Sequence, residues 1–299
     1  MVGGQGRTAL TGDARPRPDV RADQLCVPAM RGMLYASGVL VALAGVSLYV
    51  FSDTTAETFA WTIAPPLTAA FLGAGYWAAC ALELLAARER IWARARIAVP
   101  AVWLFTLLTL AATLLHIERF HFEARLPFTV IGTWVWMVVY VSVPILLGMA
   151  WLIQLRASGA DPPPSAPMSR PVRALLVVEC VVALGAGIAL FVVPEWASAA
   201  WPWKLTPLTA RAAGAWGIGV GCLIATVLRE NDWMRVRPAM WFITLYPILQ
   251  AVALLRYPET PVWSNTPASA YVLFLAVLLA TGTYGVYMGR RSARSISAA

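Results

Sequence analysis

The chain contains a copy of itself. Laid over residues 207–259 without a gap, residues 66–118 are identical at 18 of 53 positions. Pro66-Leu67-Thr68-Ala69 returns as Pro207-Leu208-Thr209-Ala210, Gly73-Ala74 as Gly214-Ala215, and Glu118 as Glu259. The charged motif Arg88-Glu89-x-x-Trp92-x-Arg94-x-Arg96 returns as Arg229-Glu230-x-x-Trp233-x-Arg235-x-Arg237. With the register moved by one residue, Gly45, Phe51 and Ala60-Trp61 fall on Gly185, Phe191 and Ala200-Trp201. Shared apolar composition matches Leu to Leu by accident, but it does not hold a charged motif and a Pro-Leu-Thr-Ala motif in one register. The sequence therefore predicts a tandem duplication.

Composition says what is duplicated. Of 299 residues 60% are hydrophobic and 13% charged, with a mean hydropathy of +0.68; soluble domains carry about 25% charged residues. The apolar residues fall into eight runs near the ~20 residues that cross a bilayer. They are Met33–Phe51, Pro66–Ala87, Ile97–His116, Phe128–Leu155, Ala174–Val193, Pro207–Leu228, Pro238–Leu255 and Ala268–Met288. Four runs per copy is the count a duplication requires. The expected fold is an all-α integral membrane protein with eight transmembrane helices, arranged as a parallel 4+4 internal duplication. Residues 1–30 read as a disordered cytoplasmic tail, 31–156 as the first four-helix repeat and 157–173 as a Pro-rich cytoplasmic linker. Residues 174–290 read as the second repeat and 291–299 as a cytoplasmic tail. No cleaved N-terminal signal peptide is expected, because the first span matches the fifth, which is internal; Met30 and Met33 are alternative starts that would leave the tail outside the mature protein.

The net charge of +8 is explained by sidedness. With both termini in the cytoplasm, 18 of the 23 basic residues lie inside, and Arg119, Arg125, Lys204, Arg211 and Arg256 lie outside or near the outer boundary. That asymmetry sets orientation and removes the case for a nucleic-acid partner. An even number of spans per copy inserts both copies the same way round, related by an axis along the membrane normal. Cys26 lies in the tail and Cys80, Cys180 and Cys222 in spans, with no metal-ligand or redox spacing.

The outer loops 56–66 and 194–207 carry Trp61, Trp196, Trp201 and Trp203. Short helices or turns at the headgroup layer are expected there, either an aromatic belt or a lid over a cavity. The repeated arginine motif reads as a cytoplasmic turn anchored on lipid phosphates, with docking of a cytosolic partner as the alternative. Gly217-x-x-x-Gly221 reads as a close-packing face, expected to bring the second and sixth spans together. Pro144 and Pro247 interrupt the fourth and seventh spans.

Five charged residues are candidate ligand-binding positions. Arg211 sits one turn below the outer boundary where the first copy has Ala70. It either snorkels outward, pairs with Glu118 or Glu259, or holds an anionic headgroup. Glu118 and Glu259 occupy matching outer ends and form an outer polar site with Arg211 if the axis brings them together. Glu83 and Glu179 are the acidic residues inside spans. They either snorkel toward Arg88 and Arg173 or, facing one cavity, support a proton-coupled step. His116 and His121 are five apart, off a shared helical face, so no metal site is expected. No cofactor motif and no nucleophile–base spacing occurs, so no catalytic residue is assigned.

The repeated Pro-Leu-Thr-Ala…Gly-Ala element, fullest as Trp203-Lys204-Leu205-Thr206-Pro207-Leu208-Thr209-Ala210-Arg211, together with Arg-Glu-x-x-Trp-x-Arg-x-Arg, resembles uncharacterised bacterial polytopic membrane proteins with a duplicated four-helix unit. The resemblance implies a multi-pass protein of the bacterial cytoplasmic membrane and no particular activity. The expected function is binding or transport of a small solute or lipid at the repeat interface. The rival is a non-catalytic subunit or scaffold that packs its Gly-rich helices against a membrane protein partner.

Overall fold

The computed structural model describes residues 22–297. Among them the regular structure is helical, with isolated β-bridges and no strand. The long helices are α1 (Pro28–Gly45), α2 (Pro66–Arg88), α3 (Val99–Leu115), α4 (Pro127–Leu155), α5 (Arg170–Val192), α6 (Pro207–Glu230), α7 (Arg237–Arg256) and α8 (Thr266–Ser297). All eight have proline at the first or second position, where its missing N–H would have no intrahelical partner anyway. Both α4 and α7 remain helical through Pro144 and Pro247.

Seven of these helices are long and apolar enough to cross a membrane; α3 is apolar but has 17 residues. Val138 on α4 and Val181 on α5 are 63% and 64% exposed, within wide apolar faces that water would not tolerate. These features fit a polytopic membrane protein.

Burial sorts the helices. The apolar windows of α2, α6 and α7 are 72%, 61% and 61% buried, whereas those of α1, α4, α5 and α8 are 28–33% buried. Within each half, the first helix packs on the second and the third on the fourth. Between halves, α2 packs on α7 and α3 on α6. The halves are thus interleaved through their inner helices. The Gln250 amide, donating to the Phe71 carbonyl at 2.9 Å, pins α7 to α2 deep in the core.

The glycines act within this frame, and they correct the expectation that α6 presses on α2. A Cβ on Gly187 of α5 would lie 2.5 Å from the Ile218 nitrogen of α6, and one on Gly214 would lie 2.7 Å from the Gly187 carbonyl. The glycine face of α6 therefore meets α5. Only Gly75 of α2 faces α6, where Trp216 covers it.

The helix ends gather in two clusters. At the arginine-rich end, α6 terminates at Asn231 in the left-handed region (φ 45°). Glu230 accepts from Arg96 Nε and Nη2 of the other half at 2.6 and 2.8 Å and from Arg235 Nη1 at 3.0 Å. Arg96 also reaches Asp161 of the linker at 2.6 Å, and Asp232 accepts from the Ser165 and Ala166 amides. The repeated motif is therefore a folded clasp with Trp92 and Trp233 buried beneath it, rather than a free lipid anchor. The linker is non-helical, as its prolines dictate, but tied down. Residues 22–27, within the tail expected to be disordered, are also ordered: Gln24 and Cys26 amides donate to Ala160 and Arg90 carbonyls at 2.9 and 2.7 Å. Residues 1–21 lie outside the described residues. At the opposite end of the chain α8 continues to Ser297, into the segment read as a tail.

At the tryptophan-rich end, Asp53 accepts from Tyr257 Oη and Arg256 Nη2, both at 2.8 Å, again joining the halves. Short helices occupy Thr55–Thr58 and Pro194–Ala197. Trp196 is exposed, but Trp61 and Trp203 are buried, and Trp203 donates to Thr68 Oγ1 of the other half at 2.9 Å. An aromatic belt accounts for Trp196 alone.

Candidate functional site

Glu83 lies on α2 with 1% of its surface exposed. It faces a cavity of about 50 Å³ at the centre of the bundle, room for a few water-sized groups. Helices α1 to α4 supply Ser37, Glu83, Thr106 and Tyr140 to the wall, and α6 and α7 supply Trp216 and Phe242. The Tyr140 and Tyr76 hydroxyls meet at 2.5 Å behind it. Among the described residues Glu83 forms no ion pair, and its Oε2 has no hydrogen-bond partner. Snorkelling toward Arg88 is thereby overturned, and a buried polar atom left unpaired is costly.

Beside the cavity a groove of about 650 Å³ runs between α1 and α4 along the outside of the bundle, with an almost wholly apolar wall. Leu40, Val41, Val139 and Tyr140 belong to both walls. An apolar body lying in the groove would abut the chamber that holds the carboxyl group.

Glu179 on α5 is also buried, at 2% exposure, and accepts from Thr281 Oγ1 of α8 at 2.6 Å; its Oε2 has no partner among the described residues. It does not line the Glu83 cavity. The condition for a shared inner acidic site is not met.

At the tryptophan-rich end Arg211 Nη1 donates to His116 Nε2 at 2.7 Å. Arginine only donates, so Nε2 carries the lone pair and His116 is neutral. Burial first, and then the Arg211 guanidinium, hold His116 below the usual imidazole range. Glu118 Oε1 lies 3.9 Å from His116 Nδ1 and 3.6 Å from Arg119 Nε. His116, Glu118 and Arg119 border a cleft of about 470 Å³ with Thr62 and Thr206. Glu259 is exposed, has no ion pair among the described residues and stands apart from the cleft. Of the proposed outer triad the structure places Glu118 on the cleft and Arg211 behind it, bonded to His116 of the wall, and leaves Glu259 out.

Sequence reasoning missed three groups. His116 was weighed as a metal ligand; instead it is the acceptor for Arg211. His121 turns the other way, toward the Phe59 carbonyl and Thr62 Oγ1, both at 3.1 Å. The Tyr76–Tyr140 pair carried no local signal, because aromatic residues in apolar spans are ordinarily packing. Among the described residues no three His, Cys, Asp or Glu side chains are grouped to hold a metal ion. Comparison with protein families, with curated proteins and with solved structures finds no match.

Proposed function

We propose that this chain binds a small amphiphile at the interface of its two halves, with the headgroup received at Glu83 and the apolar body lying between α1 and α4. The observation that carries the reading is a buried carboxyl group with an unpaired oxygen, lining a cavity built by both halves. The wall offers a carboxyl group, a phenol and hydroxyls but no basic side chain. It favours a neutral or cationic headgroup over an anion. No nucleophile–base pair lines it, so binding, which is also the first step of transport, is what the cavity can perform.

The membrane arrangement belongs to the same proposal: eight spans, four per duplicated half, in a bacterial cytoplasmic membrane with both termini inside. In support of eight, α3 joins the Arg96–Glu230 contact at one end to the His116–Arg211 contact at the other. Those are the ends that α6 joins with 24 residues. The reciprocal pairing of α2 with α7 and α3 with α6 is what a two-fold related duplication would produce. The positive-inside asymmetry puts the arginine-rich end in the cytoplasm. The scaffold alternative drew on the glycine face of α6, which α5 already covers.

The test uses protein in nanodiscs, thermal unfolding as readout, and dodecylamine, dodecanol and dodecyl phosphate as probes. A ligand that binds only the folded state raises stability by RT ln(1 + [L]/Kd). Dodecylamine and dodecanol should give a saturable rise in unfolding temperature, and dodecyl phosphate none that depends on Glu83. Glu83→Gln should weaken the amine response at least about tenfold, the scale of a lost charge-assisted hydrogen bond, while Glu179→Gln leaves it unchanged. Equal responses in wild type and Glu83→Gln would remove the proposal.

A further inference from the structure

We infer a second, chemically different ligand site between α5 and α8, which takes a neutral amphiphile presenting a carbonyl-type oxygen. A cavity of about 210 Å³ lies there, equivalent to several water volumes at ~30 Å³ each. Its inner wall is aromatic, built from Phe71, Trp201, Tyr246, Tyr271 and Phe274. Trp201 and Tyr271 stand 5.7 Å apart between ring centroids, and Phe71 closes on Trp201 at 5.5 Å. Val182, Ala186 and Ala270 are exposed at its margin, so the opening faces sideways, where lipid would lie.

Two polar atoms decide the chemistry. Trp201 Nε1 and Tyr271 Oη are both shielded from solvent, and neither has a hydrogen-bond partner among the described residues. An indole N–H only donates, and a phenol donates readily. Buried donors are ordinarily paired, and an oxygen acceptor on a ligand would pair both. No charged side chain lines this cavity, which disfavours ionic headgroups. Flat aromatic walls accept a ring or an ester group edge-on or stacked.

The repeat register relates this cavity to the α1/α4 groove of the first half. Ala60-Trp61 corresponds to Ala200-Trp201, and the α1/α4 groove includes Ala60 as this cavity includes Ala200. Where the first half has Tyr76, the second has Gly217, which lets α6 press on Gly187 and Ala183 of α5 at the cavity wall. Where α4 carries Ile131, four residues after its first proline, α8 carries Tyr271, four after Pro267. Trp61 Nε1, like Trp201 Nε1, is buried without a partner among the described residues, but Trp61 does not line the α1/α4 groove; that groove has an acid beside it, whereas the second cavity has an indole and a phenol in its wall. The inference does not depend on ligand binding at Glu83.

The test measures equilibrium binding to nanodisc-embedded protein by native mass spectrometry. The probes are 2-methyl-1,4-naphthoquinone and 1,2-dioctanoylglycerol, with hexadecane as the acceptor-free control. One equivalent of at least one carbonyl probe should bind; the quinone alone identifies a ring carbonyl and the glyceride alone an ester. Tyr271→Phe and Trp201→Phe should each weaken binding about tenfold, and Ala186→Phe at the margin should abolish it. Tyr271→Phe removes one oxygen, and an unchanged unfolding temperature certifies its fold. Glu83→Gln should leave affinity as it was, separating failure at this site from failure at the other. Hexadecane binding as tightly, with no effect of the two donor variants, would make the cavity a lipid-tail slot. Absence of saturable binding by both carbonyl probes would make it a water pocket; either result overturns the inference.

Discussion

The Arg211–His116 bond couples the tryptophan-rich end to acidity, because the acceptor nitrogen must stay unprotonated to receive the guanidinium. Burial is the largest cause of the depressed imidazole, Arg211 the next and Arg119 a smaller one, while Glu118 and Glu195 oppose them. The folded-state value thus lies below the ordinary 6.5. Between those two values the unfolded chain binds the proton and the folded chain does not, so stability rises with pH across that window. The contribution is complete above about 6.5 and is lost as pH falls through the folded value. An NMR titration should find the His116 midpoint below 6.5, moving upward in Arg211→Ala, and the matching loss of thermal stability on acidification should vanish in His116→Gln. A midpoint at or above 6.5 in the wild type would contradict the bond.

At the scale of the element, α5 and α6 approach until backbone meets backbone, and two glycines about half a turn apart on α5 isolate that contact. A side chain at Gly187 has no room against Ile218, whereas one at Gly185 meets nothing within 4 Å. Gly187→Val should lower stability by about 2 kcal/mol, in the range of overpacked cores, and Gly185→Val by less than about 1 kcal/mol, as for other surface changes. Both place the same β-branched residue in one helix, so the difference reports packing; equal losses in denaturant titrations would refute the assigned interface. The helices themselves were legible because proline and apolar length mark them out. Which face each turns inward was not. A helix apolar all round, such as α2, has no stripe from which to read it, so Glu83, five residues from Arg88, looked able to reach water. Its placement depends on α1, α4 and α6 closing over it, information spread over more than a hundred residues of chain.

For the whole molecule, the two halves that read as neighbouring bundles are fastened to one another at both ends and share their inner helices. The repeat motifs were visible as motifs, but their job was not: Arg96 and Glu230 belong to different copies, and a repeat seen one copy at a time does not reveal contacts made between copies. Sidedness can be checked directly on cells. In a cysteine-free background, a cysteine at exposed Glu123, in the loop after α3, should react with an impermeant maleimide added outside, and one at exposed Arg90 only after the membrane is opened. Labelling of Arg90→Cys in sealed cells would invert the orientation.

Interleaving also bears on whether the halves can be parted. A lone four-helix unit would leave the faces of its second and third helices bare, so neither half is a closed body, and a chain cut in the linker should stay together as two pieces held by the contacts at both ends.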